Sequence, residues 1–177
     1  PMPRYPFQFI RADALKPPLR LADFDLVWAR PPCQYASVAT PLRCRGNHEN
    51  LIGPTRDMLA GQALFVIENV PGARRDLRTS VVLCGSMFGL PMRKHRLFET
   101  HGFCAAFVAP CNHSERARHV VSSSSRDTAE LRSREMAFHL AGLGHCATRH
   151  EARQAIPPAY SEHIGRYAMI ALGRAEA

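Results

Sequence analysis

Of six cysteines, Cys33 is the one placed where a thiol could react. It follows Arg30, Pro31 and Pro32 at the end of the apolar run Phe24 to Ala29, behind two residues whose fixed φ stiffens the backbone. A cysteine used as a small core hydrophobe would more usually sit inside the run, among Leu26, Val27 and Trp28. Glu68 stands in the same way at the end of Leu64 to Ile67, and Asp13 ends the run that begins at Phe7. A thiol of pKa about 8.5 is only about 3% thiolate at pH 7, so a nucleophile here needs cationic neighbours or a base. Arg30 and the cluster Arg93, Lys94, His95, Arg96 offer that field. A carboxyl behind several apolar residues is expected to be partly desolvated, which raises its pKa and lets it hold a proton near neutrality. Thiol and carboxyl together point to covalent catalysis assisted by an acid. Taken singly, Pro-Pro-Cys is more often a turn with an inert thiol, and Glu-Asn after a strand more often caps the next turn.

For these groups to meet, the runs that carry them must lie side by side and point the same way. Four runs bounded by turn residues read as buried strands: Phe7 to Ala14, Phe24 to Ala29, Ala63 to Val70 and Ser80 to Gly85. Between the second and third, Leu51, Thr55, Met58 and Leu59 fall on one helical face, with Gly61 suited to the C-cap. That is a β-α-β unit, hence parallel strands with a right-handed crossover. An open parallel sheet gathers reactive groups at the carboxyl ends of its strands, which puts Cys33, Glu68 and Asp13 on one rim. Tyr160, Ile164, Tyr167, Ala168 and Leu172 recur at helical spacing behind Pro157 and Pro158. The domain reading is a partial catalytic α/β domain over 1–100, an irregular insertion over 101–152 with one helix near Leu131 to Leu140, and a returning helix in 153–177.

The chain has 177 residues and a formal charge of +8, with a pI of about 9.7. It is long enough to bury roughly two thirds of its unfolded surface without staples. Arginine supplies most of the excess, the profile of a polyanion binder or of a solvated arginine surface. Neither a signal peptide nor an apolar run of about 18 residues is present, and the cysteines lack a disulfide-framework spacing. The expectation is a soluble protein of a reducing cytoplasm, with no membrane partner.

The ordered succession "RPPCQ", "VIENVPG", "MFGLPMRKHRLF" and "QAIPPAY" resembles the motifs of DNA cytosine-5 methyltransferases, in particular short forms like those of bacteriophage genomes. The resemblance runs through most of the chain and is weakest from about His101 to Ala152. It implies a Rossmann-like, mostly parallel sheet of the class that uses S-adenosylmethionine, and double-stranded DNA as partner. Cys33 would be the nucleophile that adds to C6 of a cytosine flipped from the duplex. Glu68 would hydrogen-bond N3 and the exocyclic amine as charge builds on the ring. Arg96 matches the second arginine of the family's Arg-x-Arg pattern and would contact the flipped base or its phosphate. Lys94 replaces the first arginine, with Arg93 as substitute, and Gln34 completes the DNA-facing set. Asp13 and Ala14 match the position that reads the cofactor's adenine; Pro32 and the last motif's opening, Gln154, Ala155 and Ile156, complete the cofactor set.

Three departures stand out. No Gly-rich cofactor loop precedes "YPFQFIRADA", so the chain reads as N-terminally truncated relative to the family, with a second chain as one source of the missing motif. Arg30 stands where the family has a small residue, and Gln154 to Ile156 replace a Gly-Asn opening. The rival functions are a DNA-binding remnant that has lost cofactor binding, and a methylase or hydroxymethylase of free pyrimidine nucleotides. Cys104, Cys111 and His113, joined by His145, Cys146 or His150, form a second set of zinc-type ligands, but six residues separate the first two cysteines, more than usual for zinc. The expectation is no metal.

Overall fold

Two of the four apolar runs become neighbouring parallel strands. In the computed structural model, which describes residues 7–90, 92–113 and 154–175, these are β1 (Val27–Ala29) and β2 (Phe65–Asn69). Two more strands follow, β3 (Ser80–Leu83) and β4 (Arg96–His101), and the sheet order is β1-β2-β4-β3. β4 is antiparallel to both of its neighbours. The expected Rossmann-like, mostly parallel sheet is therefore wrong: the sheet is mixed, and among the described residues only the β1–β2 pair is parallel. Apolar runs mark strands without giving their direction. A parallel neighbour needs a long crossover, and that connection occurs only between β1 and β2. After β3 the chain returns through Cys84 to His95, and β4 enters between β2 and β3 in the opposite sense.

The first run is a second correction. Phe7 to Ala14 forms no strand, and Phe7, Phe9 and Ile10 are exposed. Conversely, β4 was not expected, since "RLFETH" interleaves Arg96, Glu99 and His101 with its apolar residues and so lacks the simple alternation of a half-buried strand. The expected insertion helix at Leu131 to Leu140 lies outside the described residues.

The chain divides into two units. One contains 12–83, 95–108 and the described residues from 163 onward, and with them the whole sheet. Its core cluster joins Phe65 and Ile67 of β2 and Leu97 of β4 to Ile52, Leu59, Ala36, Ala73 and Leu77. The helices α1 (Leu42–Arg45) and α2 (Ile52–Met58) belong here. Asn50 Oδ1 accepts the Ile52 amide at 3.1 Å and so holds the start of α2, where Pro54 is tolerated in the first turn. The expected helical face is recovered in part: Thr55 and Leu59 are buried, Leu51 and Met58 half-buried. Strand alternation sends Phe65 and Ile67 to this core and Val66 and Glu68 to the other face, where Trp28 meets Phe98 edge to face at 5.7 Å.

The other unit contains 84–94, the described residues of 109–162, and 7–11. Here Phe88 packs on Tyr160, and the Tyr160 hydroxyl donates to the Lys94 carbonyl at 2.6 Å. Tyr160 lies in α3 (Pro158–Ala171), the expected closing helix.

Candidate functional site

Glu68 is 1% exposed, and a buried carboxylate is tolerable only where it is paired. Its partners come from both flanking strands. β1 pairs Ala29 with Ile67, so Arg30, one residue on, reaches Glu68 from the same face; its Nε lies 2.8 Å from Oε2. In the antiparallel pair Glu68 stands opposite Phe98, which puts Arg96, two residues back, on the same face and diagonal to it. Arg96 Nε lies 3.0 Å from Oε1. Both nitrogens approach out of line, so these contacts are ion pairs rather than aligned hydrogen bonds. Arg30 is the more exposed of the two guanidiniums.

Sequence reasoning gave Arg30 another task, as a cation for Cys33 and as a departure from the family. The signal for its pairing is the register: Trp28 and Arg30 share a face, as do Val66 and Glu68, and the two strands are parallel.

Cys33 is half-buried and reduced. Its loop is held at the end of β2 by contacts within one unit. The Asn69 side-chain amide donates to the Pro31 carbonyl at 3.1 Å, while its own Oδ1 accepts the Val70 amide. Tyr35 donates its hydroxyl to Asp76 at 3.0 Å, and burial, then that hydrogen bond, pushes the phenol well above its ordinary pKa. The Cys33 carbonyl accepts the amides of Ala36 and Ser37. Gly72 lies so close that a Cβ there would sit 2.1 Å from the Ala36 carbonyl oxygen, so only glycine allows this approach. The loops after the two parallel strands thus stand together, as expected of "RPPCQ" and "VIENVPG".

The remaining expected residues are placed differently. Gln34 and Pro32 are exposed on the Cys33 loop. Asp13 and Ala14 are exposed in a turn rather than at a strand end, and Asp13 Oδ1 accepts the Leu15 amide. In the other unit, Lys94 is buried, with its Nζ donating to the Ala155 carbonyl, and Arg93 donates to the His113 carbonyl at 2.6 Å. Gln154 is exposed and Ile156 half-buried. A cleft along β3 is lined in part by Ser80, Val82, Thr100, Phe103 and Cys104, and by none of Cys33, Glu68 or Arg96.

Among the described residues of the second unit, Cys84, Cys111 and His113 converge as donors that could hold a metal. Cys104, weighed with the last two from the sequence, is exposed and stands outside this group, while His145, Cys146 and His150 lie outside the described residues. No family model, curated protein or solved structure matches the chain. No helix of the described residues is long and apolar enough to cross a membrane.

Proposed function

We propose that this chain attacks cytosine in duplex DNA through Cys33, in the manner of the DNA cytosine-5 methyltransferases its motifs resemble. One observation carries the reading: a buried carboxylate, Glu68, set between two guanidiniums and beside a loop that holds a reduced thiol. The Cys33 thiol gives up its proton to solvent and its sulfur bonds to C6 of a flipped base, while the C5–C6 π pair is displaced over C5 and N3, leaving C5 nucleophilic. Glu68 stabilises that ring by accepting from the exocyclic amine and from N3 once N3 has taken up a proton, and it is reached when the exposed Arg30 swings away. Arg96, less exposed, stays to hold the carboxylate. The charge of +8 favours a polyanionic partner.

The residues that the resemblance assigns to S-adenosylmethionine fit it poorly. Asp13 closes its own turn, its segment is not a strand, and neither Asp13 nor Ala14 is sheltered. No methyl-transfer step is therefore assigned to these residues.

The addition step is tested alone with a duplex carrying 2-pyrimidinone in place of cytosine, a ring electrophilic enough at C6 to trap a thiol without any cofactor. A covalent protein–DNA product is expected by mass spectrometry. Cys33→Ser should abolish it, Glu68→Gln should slow it about a hundredfold, and Cys104→Ser should leave it unchanged. Trapping by Cys33→Ser at the native rate would overturn the reading, and binding without trapping would favour a DNA-binding remnant.

A further inference from the structure

We propose that Cys84, Cys111 and His113 form a zinc site, distinct from the Cys33 and Glu68 cluster and independent of the function proposed for it. The two thiol sulfurs and a ring nitrogen all lie within 4.8 Å of one another. Soft sulfur and imidazole donors are the set that zinc prefers. The spacing agrees with the metal's geometry. Bonds of about 2.3 Å to sulfur and about 2.0–2.1 Å to nitrogen, at the tetrahedral angle, put the two donor atoms about 3.5–3.6 Å apart. Cys84 Sγ and His113 Nε2 are 3.5 Å apart. Two sulfurs on the same ion stand about 3.8 Å apart, inside the span found.

A set of hydrogen bonds, thiol to imidazole and thiol to thiol, would account for the contacts between the atoms. It does not account for how firmly the carrying segments are held. The Ser86 hydroxyl donates to Cys84 Sγ and accepts the Asn112 amide at 3.2 Å, which ties the 3-10 turn Gly85–Phe88 to the chain between the other two donors. Arg93 fixes the His113 carbonyl. A Cβ on Gly85 would sit 2.4 Å from the Met92 side chain and 2.6 Å from its carbonyl oxygen, so a glycine must follow Cys84 for the chain to fold back here. Metal thiolates characteristically receive such outer hydrogen bonds. The ion replaces a proton on each of the two thiols, and a fourth donor completes the tetrahedron. Cys84 and His113 are far apart in sequence, so the bond closes a long loop, and the site's task is to hold that segment.

The test uses the whole chain, purified under reducing conditions. About one zinc per chain is expected by elemental analysis. Cobalt substituted for zinc should give intense visible bands and a thiolate-to-metal charge-transfer band in the near ultraviolet. A chelator should lower the melting temperature by about 5 °C or more. Cys84→Ser is buried and its loss of metal could reflect misfolding; His113→Ala changes an exposed side chain, should fold, and should lose most of the zinc. Cys104→Ser should keep it. A folded His113→Ala that retains full zinc, a cobalt spectrum without the sulfur band, or a reduced chain that takes up no zinc would each overturn the proposal. So would a Cys84–Cys111 disulfide in the isolated chain.

Discussion

Glu68 concentrates what a single residue can show about this molecule. The carboxylate and its two guanidiniums are unequal partners: Arg96 is mostly withdrawn from solvent while Arg30 is substantially exposed. Removing one member of a buried pair costs about 3–5 kcal/mol because the remaining charge is stranded, whereas an exposed pair contributes about 0–1 kcal/mol. Arg96→Ala is therefore expected to destabilise the fold by about 3 kcal/mol and Arg30→Ala by no more than about 1, read as shifts of the urea midpoint at unchanged slope. Equal losses would show that Arg30 is as structural as Arg96 and would remove it as the residue that opens the site. Of these three side chains, the sequence made Glu68 and Arg96 visible through their motifs. Arg30's pairing was hidden, because it depends on which residue of β1 stands beside Ile67. The expectation for Glu68 was also incomplete, since burial was legible in the run before it but the two cations facing it were not.

At the scale of elements, the expected strands that survive are those with an apolar run and a partner on each flank or a core beneath. β2, buried throughout, is the clearest. The run Phe7 to Ala14 forms no strand, and Phe7, Phe9 and Ile10 lie exposed. β4 was concealed by charge: Glu99 is buried yet accepts both Nε and Nη2 of Arg56 at 2.7 Å and the Arg78 amide at 2.8 Å. That contact fastens α2 to the sheet and keeps Arg56 firmly protonated, but a pattern of hydrophobicity does not reveal it. The Cys33 loop is fastened by Tyr35 in a way that pH can probe. The native phenol titrates above its unfolded value, so its stabilising contribution is complete below about pH 10 and declines as pH rises beyond it. Tyr35→Phe should thus be less stable than the native chain by a constant amount from neutrality to about pH 10, and the difference should shrink above it. Denaturant titrations at a series of alkaline pH values read this directly. A gap that stays constant up to about pH 11 would show that the phenol is not held protonated by Asp76 and burial.

The whole molecule poses the question of the methyl donor. The loops carrying "RPPCQ" and "VIENVPG" stand together after two parallel strands, yet the sheet around them is mixed and not the parallel one that the resemblance implies. Asp13 illustrates the consequence. In a parallel sheet it would project from a rim; here it lies exposed in a turn and its carboxylate is engaged by the Leu15 amide. Tight binding of the cofactor's ribose and methionine ends requires charge-assisted hydrogen bonds, each worth roughly 1.5–3 kcal/mol. Forgoing two of them weakens affinity by about a hundredfold or more. Residues 1 to 177 by themselves should therefore bind S-adenosylhomocysteine no more tightly than about 100 μM, while still trapping the pyrimidinone duplex through Cys33. The two measurements separate the donor site from the nucleophile: calorimetry reads the first and covalent trapping the second. Low-micromolar binding by this chain would show that a cofactor pocket forms from residues other than Asp13 and Ala14. Asp13→Ala then distinguishes the cases, since it should leave such a pocket unchanged and would abolish it only if the exposed turn reorders around the ligand.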